Sequence, residues 1–138
     1  PELLQDPGAP APYKLYYSGN TVDANGNFHT RIGLATSNNG SSFNKVDGSQ
    51  TGDAVMDVGS LGTAFDARQA SGLSVAAPSG ATPKLVGFYW GTRGSDFKPR
   101  LGEATSPDGT SWTQASARTS SFTCAQLHVC QMPRYFSR

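Results

Sequence analysis

Apolar and polar positions alternate along this chain in short runs, and glycine or proline interrupts them every few residues. Period-two alternation between such breaks predicts half-buried strands rather than helices. Strands are expected over residues 1–4, 13–18, 31–37, 42–46, 72–77, 84–90 and 100–105, with a last clear one starting at Trp112. Turns are expected at 5–10, 38–40, 78–80 and 107–109, where Pro, Gly, Asn and Asp concentrate. Asn39-Gly40 ahead of an apolar run is a strong hairpin signal. Residues 19–27 read as a polar loop. Residues 47–64 read as a long connection that carries one apolar patch, Ala54-Val55-Met56-Asp57-Val58.

One stretch occurs twice. Arg31-Ile32-Gly33-Leu34-Ala35-Thr36-Ser37-Asn38-Asn39-Gly40-Ser41-Ser42-Phe43 returns as Arg100-Leu101-Gly102-Glu103-Ala104-Thr105-Ser106-Pro107-Asp108-Gly109-Thr110-Ser111-Trp112. The offset is 69 here and 72 in the preceding strand, where Tyr17 and Gly19 correspond to Tyr89 and Gly91. Carried back, the same offset sets Leu3 on Val75 and Asp6 on Pro78, which makes Asp6 a turn residue. Each unit is therefore expected to be four short antiparallel strands. The first covers about 1–46, the second about 65–114, with the connection 47–64 between them and an irregular tail over 115–138. Four strands closing on Gly-x-x-Phe or Gly-x-x-Trp are the pattern of a propeller blade. The expected fold is one all-β, β-propeller-like domain over 1–138, made of two blades. Two blades leave large faces open, so completion by oligomerisation or by a larger propeller is expected. A β-sandwich accounts for the strands but does not require the repeat.

Composition narrows the partners. Charged residues are 15% of the chain and the net charge is +1, with no basic run, so nucleic acid is not an expected partner. No stretch approaches the ~20 apolar residues of a membrane span, so no membrane association is expected. Polarity comes largely from Ser, Thr and Asn, which suits a secreted, extracellular β protein. Cys124 and Cys130 are either a local disulfide or two free thiols, and their spacing fits no common zinc or haem motif. His29 and His128 have no companion at ligand spacing and read as surface residues. Neither a metal nor a cofactor is expected.

Tyr16-Tyr17-Ser18-Gly19 followed by 31–43, and Phe88-Tyr89-Trp90-Gly91 followed by 100–112, resemble the blades of five-bladed propeller glycosidases of the family 43-like and family 32-like types. The resemblance covers most of residues 1–114. Ser106-Pro107-Asp108-Gly109-Thr110-Ser111-Trp112 also resembles the Asp-box turn of sialidases, one residue short. The resemblance implies cleavage of polysaccharide glycosidic bonds by paired carboxylates at the mouth of a central channel. On that reading Asp66, at the start of the second unit, is the candidate base or orienting residue. Glu103, which stands where the first unit has Leu34, is the candidate acid. Trp90, which replaces Ser18 in the repeat, is the candidate sugar-stacking residue, with Arg68 and Arg100 as candidate substrate-binding residues. Tyr16, Tyr17 and Tyr89 could also stack on sugar rings, with Tyr17 and Tyr89 read mainly as core. The alternatives are a non-catalytic, lectin-like carbohydrate-binding module that assembles as a homo-oligomer, and a structural subunit with no sugar site.

Overall fold

A computed structural model describes residues 1–60, 63–77, 85–96 and 98–115 and the backbone of 122–123. Cys124, Cys130 and His128 lie outside the described residues, so the readings made for them stay open. The described chain is all-β. Its strands are β1 (Glu2–Gln5), β2 (Tyr13–Val22), β3 (Phe28–Ser37), β4 (Asn44–Val46), β5 (Gln69–Ala76), β6 (Leu85–Thr92), β7 (Arg100–Ser106), β8 (Thr113–Gln114) and β9 (Phe122–Thr123). The loop expected over 19–27 is shorter than the sequence suggests. β2 and β3 extend into it and leave a turn at 23–27 that Asp23 organises through the backbone N–H groups of Asn25 and Asn27.

β1 to β4 pair antiparallel in chain order, and so do β5 to β8, with β9 also on β7. The repeat holds at the level of single pairs. Leu3 faces Leu15 across β1 and β2, and Val75 faces Gly87 across β5 and β6. Tyr17 faces Gly33, and Tyr89 faces Gly102. Thr36 faces Asn44, and Thr105 faces Thr113. The assignment of residues 1–4 to a strand matching Val75 is thus borne out, and Asp6 is a turn residue whose N–H donates to the Pro12 carbonyl.

A single parallel pair, Thr30 with Gln69, joins the two units into one sheet of nine strands. The remaining edge of β3 is filled from the connection, where the Ile32 carbonyl accepts from Val55 N–H at 2.9 Å. This docks the apolar patch predicted at 54–58, and Ala54, Val55 and Met56 are buried.

Equivalent strands bury opposite faces. On β2 the buried side chains are Lys14 and Tyr16, while Tyr13, Leu15 and Tyr17 are half-buried. On β6 the buried positions are Leu85, Gly87, Tyr89 and Gly91, while Phe88 and Trp90 are exposed. Since side chains alternate across a strand, one face of the first unit meets the other face of the second. Tyr16, Ile32 and Leu34 enter the shared core from the first unit, and Leu73, Tyr89 and Ala104 from the second. Tyr16 crosses the interface. Its hydroxyl donates to the Gly109 carbonyl at 2.8 Å, and its ring meets Trp112 edge-on at 5.8 Å.

Two local devices recur in both units. First, a tyrosine ring covers a glycine on the neighbouring strand. A Cβ on Gly33 or Gly102 would lie 2.5 Å from the ring of Tyr17 or Tyr89, so only glycine fits. Second, the hairpin between the third and fourth strands is held by side chains. The Ser37 and Ser106 hydroxyls accept from the N–H groups two and three residues on, and Asn39 or Asp108 accepts from the N–H groups two and three residues beyond itself. Gly40 and Gly109 supply the left-handed residue, with φ of 73° and 78°.

Gly102→Ala is expected to destabilise the protein by ~1–3 kcal/mol through overpacking against Tyr89 and Phe65. Gly94→Ala, which meets nothing within 4 Å, is expected to stay within about 0.5 kcal/mol of the parent in the same denaturation series. Burial raises the Asp108 pKa, but hydrogen bonds from Ser111, Thr110 and Ser106 outweigh it, and the carboxyl is lowered from 3.8 to about 2. Its stabilisation is therefore complete above the unfolded value and is lost as pH falls from 3.8 through about 2. Asp108→Asn keeps the turn, as Asn39 does in the first unit. Stability of that variant is expected to fall less steeply over this window than that of the parent, and an unchanged slope would contradict the assignment.

Candidate functional site

The five residues singled out from the sequence do not converge on one site. Asp66 is 0% exposed, beneath the face of β6 and β7 that meets the first unit. Tyr89 Oη donates to its Oδ2 at 2.7 Å and Gln114 Nε2 at 3.1 Å. The same Gln114 amide donates to the Asp57 carbonyl at 2.8 Å, which ties the connection to the second unit. Phe65 stacks on Tyr89 with centroids 6.0 Å apart. Gly91 is required there, because a Cβ would come within 2.6 Å of both Phe65 and the Asp66 Cβ.

Glu103 faces Phe88 across β6 and β7 and is exposed, whereas its neighbours Gly102 and Ala104 are buried. It therefore stands on the opposite face of the sheet from Asp66. The expectation that these two carboxylates form an acid–base pair needs correcting for a single chain, because a β-sheet lies between them. Glycoside cleavage needs two carboxyl groups about 5–9.5 Å apart across an open cleft. The repeat could not reveal this, since it identifies equivalent positions but not which face of each unit is covered.

Trp90 shares the open face with Phe88 and Glu103 and is 38% exposed. Arg100 is committed to the β6–β7 loop. Its guanidinium pairs with the Asp96 carboxylate and donates to the Lys98 carbonyl at 3.1 Å. That pairing holds Asp96 well below the usual carboxylate range. Arg68 anchors the junction of the units through its backbone. Its N–H donates to Thr92 and its carbonyl accepts from Thr30.

Arg68 also lines a cleft of about 300 Å³ where the ends of β2, β3, β5 and β6 come together. The other walls are Asn27, Phe28 and His29 from the first unit and Arg93 to Ser95 from the second. Phe28 is 62% exposed beside the cleft. His29 is buried, which corrects its reading as a surface residue. Its Nε2 lies 3.2 Å from Asp23 Oδ2. The Asn27 side chain and backbone N–H donate to Asp23 and hold that carboxyl well below its ordinary range, with a smaller contribution from His29. With the Asp23 carboxylate accepting from Nε2–H, the tautomer that satisfies this contact leaves Nδ1 as an acceptor. His29 Nδ1 and Arg93 Nε are both buried and have no hydrogen-bond partner among the described residues.

Asn27 and Arg93 had no signal in the repeat because they lie in the connections where the two units differ in length, and Phe28 opens β3 just beyond the repeated stretch. Among the described residues no three His, Cys, Asp or Glu side chains gather as metal ligands. Compared with known families, characterised proteins and solved structures, the chain matches none.

Asp66 is placed as a structural residue. Asp66→Ala leaves the buried Tyr89 hydroxyl without its acceptor, and is expected to cost ~1–3 kcal/mol in chemical denaturation. Equal or greater stability of the variant would contradict that placement and favour an active-site role.

Proposed function

We propose that this chain is a two-blade, propeller-type carbohydrate-binding unit, related in design to propeller glycosidases and binding saccharides without cleaving them. One observation carries this reading. The cleft at the junction sets an exposed aromatic face, Phe28, beside the amide of Asn27, the imidazole of His29 and the guanidinium groups of Arg68 and Arg93. Sugars present apolar C–H faces and rings of hydroxyls. An aromatic surface beside fixed planar donors and acceptors answers both. A ligand hydroxyl would accept from Arg93 Nε–H and another would donate to His29 Nδ1, which offsets the desolvation of both nitrogens.

The propeller reading draws support from strand placement. Gly72 N–H donates to Ser18 Oγ, and Val75 N–H to Glu2 Oε1, so β5 runs close to β1. Two first strands side by side are what adjacent blades bring to a common axis. Hydrolysis would need a second carboxylate facing Asp66, and Glu103 is turned away from it. A secreted setting and assembly with further copies belong to the same reading.

The test is binding of the full chain to an oligosaccharide array, followed by titration calorimetry on the best hits. Arg93→Ala and His29→Ala are expected to weaken binding at least about tenfold, the loss of one charge-assisted or buried hydrogen bond each. Phe28→Ala is expected to weaken it as well, with no change in melting temperature. Absence of binding to any glycan would overturn the proposal. Release of new reducing ends from a bound oligosaccharide would replace it with the hydrolase reading.

A further inference from the structure

The interface between the two units works as a knob in a socket. The knob is Tyr16. The socket is Gly109 with Leu85 beside it and Trp112 at its edge. A Cβ on Gly109 would lie 2.5 Å from the Tyr16 hydroxyl and 3.1 Å from Leu85, so the absence of a side chain there makes the room. Every one of these positions has an equivalent in the other unit, and among the described residues none of those equivalents makes the matching contact.

The equivalent of the knob is Phe88, which is 44% exposed on β6. Around it on the same face lie Trp90 and the half-buried Val86 and Leu101. The equivalents of the socket are Gly40, Tyr13 and Phe43. Gly40 has the same positive φ as Gly109, and the Tyr13 ring lies 3.5 Å from where its Cβ would be, as Leu85 lies near Gly109. Under Trp112 the strand has Gly87, whose Cβ would meet that ring at 2.7 Å. Under Phe43 the equivalent residue is Leu15. A large ring over glycine in one unit is answered by a smaller ring over leucine in the other, which keeps the floor of the socket filled to a similar depth. The face around it carries Leu3, 56% exposed, where the second unit has Val75, half-buried against the core.

The described residues thus present an exposed knob on the second unit and the matching socket residues on the first, each equivalent to a partner in the contact already made between the units. We propose that a second copy of this chain docks head to tail on the first, Phe88 of one copy entering the Gly40, Tyr13 and Phe43 socket of the next. The contact is heterologous, so repeating it generates a closed ring or an open filament according to the rotation per step. It is weaker than the internal interface for two reasons. Phe88 lacks the hydroxyl that bonds Gly109 in the internal pair, and Glu103 puts a carboxylate where the internal face has Leu34. An isolated charge on an open sheet face also discourages indiscriminate edge and face association. The inference rests on the two-unit repeat and not on the saccharide cleft, whose walls belong to one copy.

The experiment is sedimentation of the full chain over a concentration series, with two variants and their mixture. The parent is expected to associate beyond a dimer as concentration rises. Phe88→Glu spoils the knob and Phe43→Glu spoils the socket, and each alone is expected to be monomeric, with affinity reduced at least about tenfold. Circular dichroism checks that both variants remain folded. Mixed together, they retain one intact knob and one intact socket. They are expected to form a one-to-one dimer that grows no further. A monomeric parent at every concentration would overturn the proposal. So would assembly undiminished in folded Phe88→Glu, or a mixture that stays monomeric. If either variant fails to fold, the milder Phe88→Ser and Phe43→Ser pair carries the same mixing test. Protection of Phe88 from hydroxyl-radical labelling in a monomeric parent would also overturn the proposal, with the face then covered by the chain itself. Saccharide binding that survives in the monomeric variants, or fails in all of them, leaves these outcomes readable separately.

Discussion

The rest of the architecture depends on a tyrosine ring laid over a glycine on the adjacent strand. Tyr89 covers Gly102 and Tyr17 covers Gly33, and in both pairs a Cβ would collide with the ring. The ring lies down across the sheet instead of standing away from it. In the second unit this flat aromatic surface receives Phe65 in a stack, and its hydroxyl reaches out to hold Asp66. Gly91 and Gly102 clear the space that Phe65 occupies. A buried carboxylate at this junction is tolerable because Tyr89 and Gln114 donate to it. The first unit has the same ring on the same glycine, but among the described residues no aromatic ring stacks on it, and Tyr17 is only half-buried.

From that constraint follows the way the units stack. One face of the first unit meets the opposite face of the second, and Tyr16 locks them through Gly109 and Trp112. A stack built like this is polar, with unlike faces at its two ends. The cleft at the junction arises from the same stacking. Hairpin residues Asn27 to His29 belong to one unit, Arg93 and Arg68 to the other, and the cleft exists only where the strand ends meet.

Much of this was legible in the sequence. The duplicated stretch gave the strand register to the residue, including the match of Leu3 with Val75 and the turn at Asp6. Asn39-Gly40 and Asp108-Gly109 marked their hairpins because turn chemistry is local. The site was not legible in the same way. Tyr16 reaches a carbonyl 93 residues away, and no local pattern encodes that. Nor does alternation say which parity is buried, since Tyr17 and Tyr89 are equivalent residues with unequal exposure. For this reason Asp66 and Glu103 looked like partners and lie on opposite faces. His29 resembled a surface residue because a spacing rule detects neither its contact with Asp23 nor its place at the junction of the two units.

The Tyr16 knob joins the two units through the socket of Gly109 and Trp112. A double-mutant cycle with Tyr16→Leu and Trp112→Leu, read by equilibrium denaturation, measures that contact most directly. The account predicts a coupling energy of about 0.5–1.5 kcal/mol, the value of an edge-on aromatic pair beyond its buried area. Strictly additive single-variant losses, with no coupling, would contradict it.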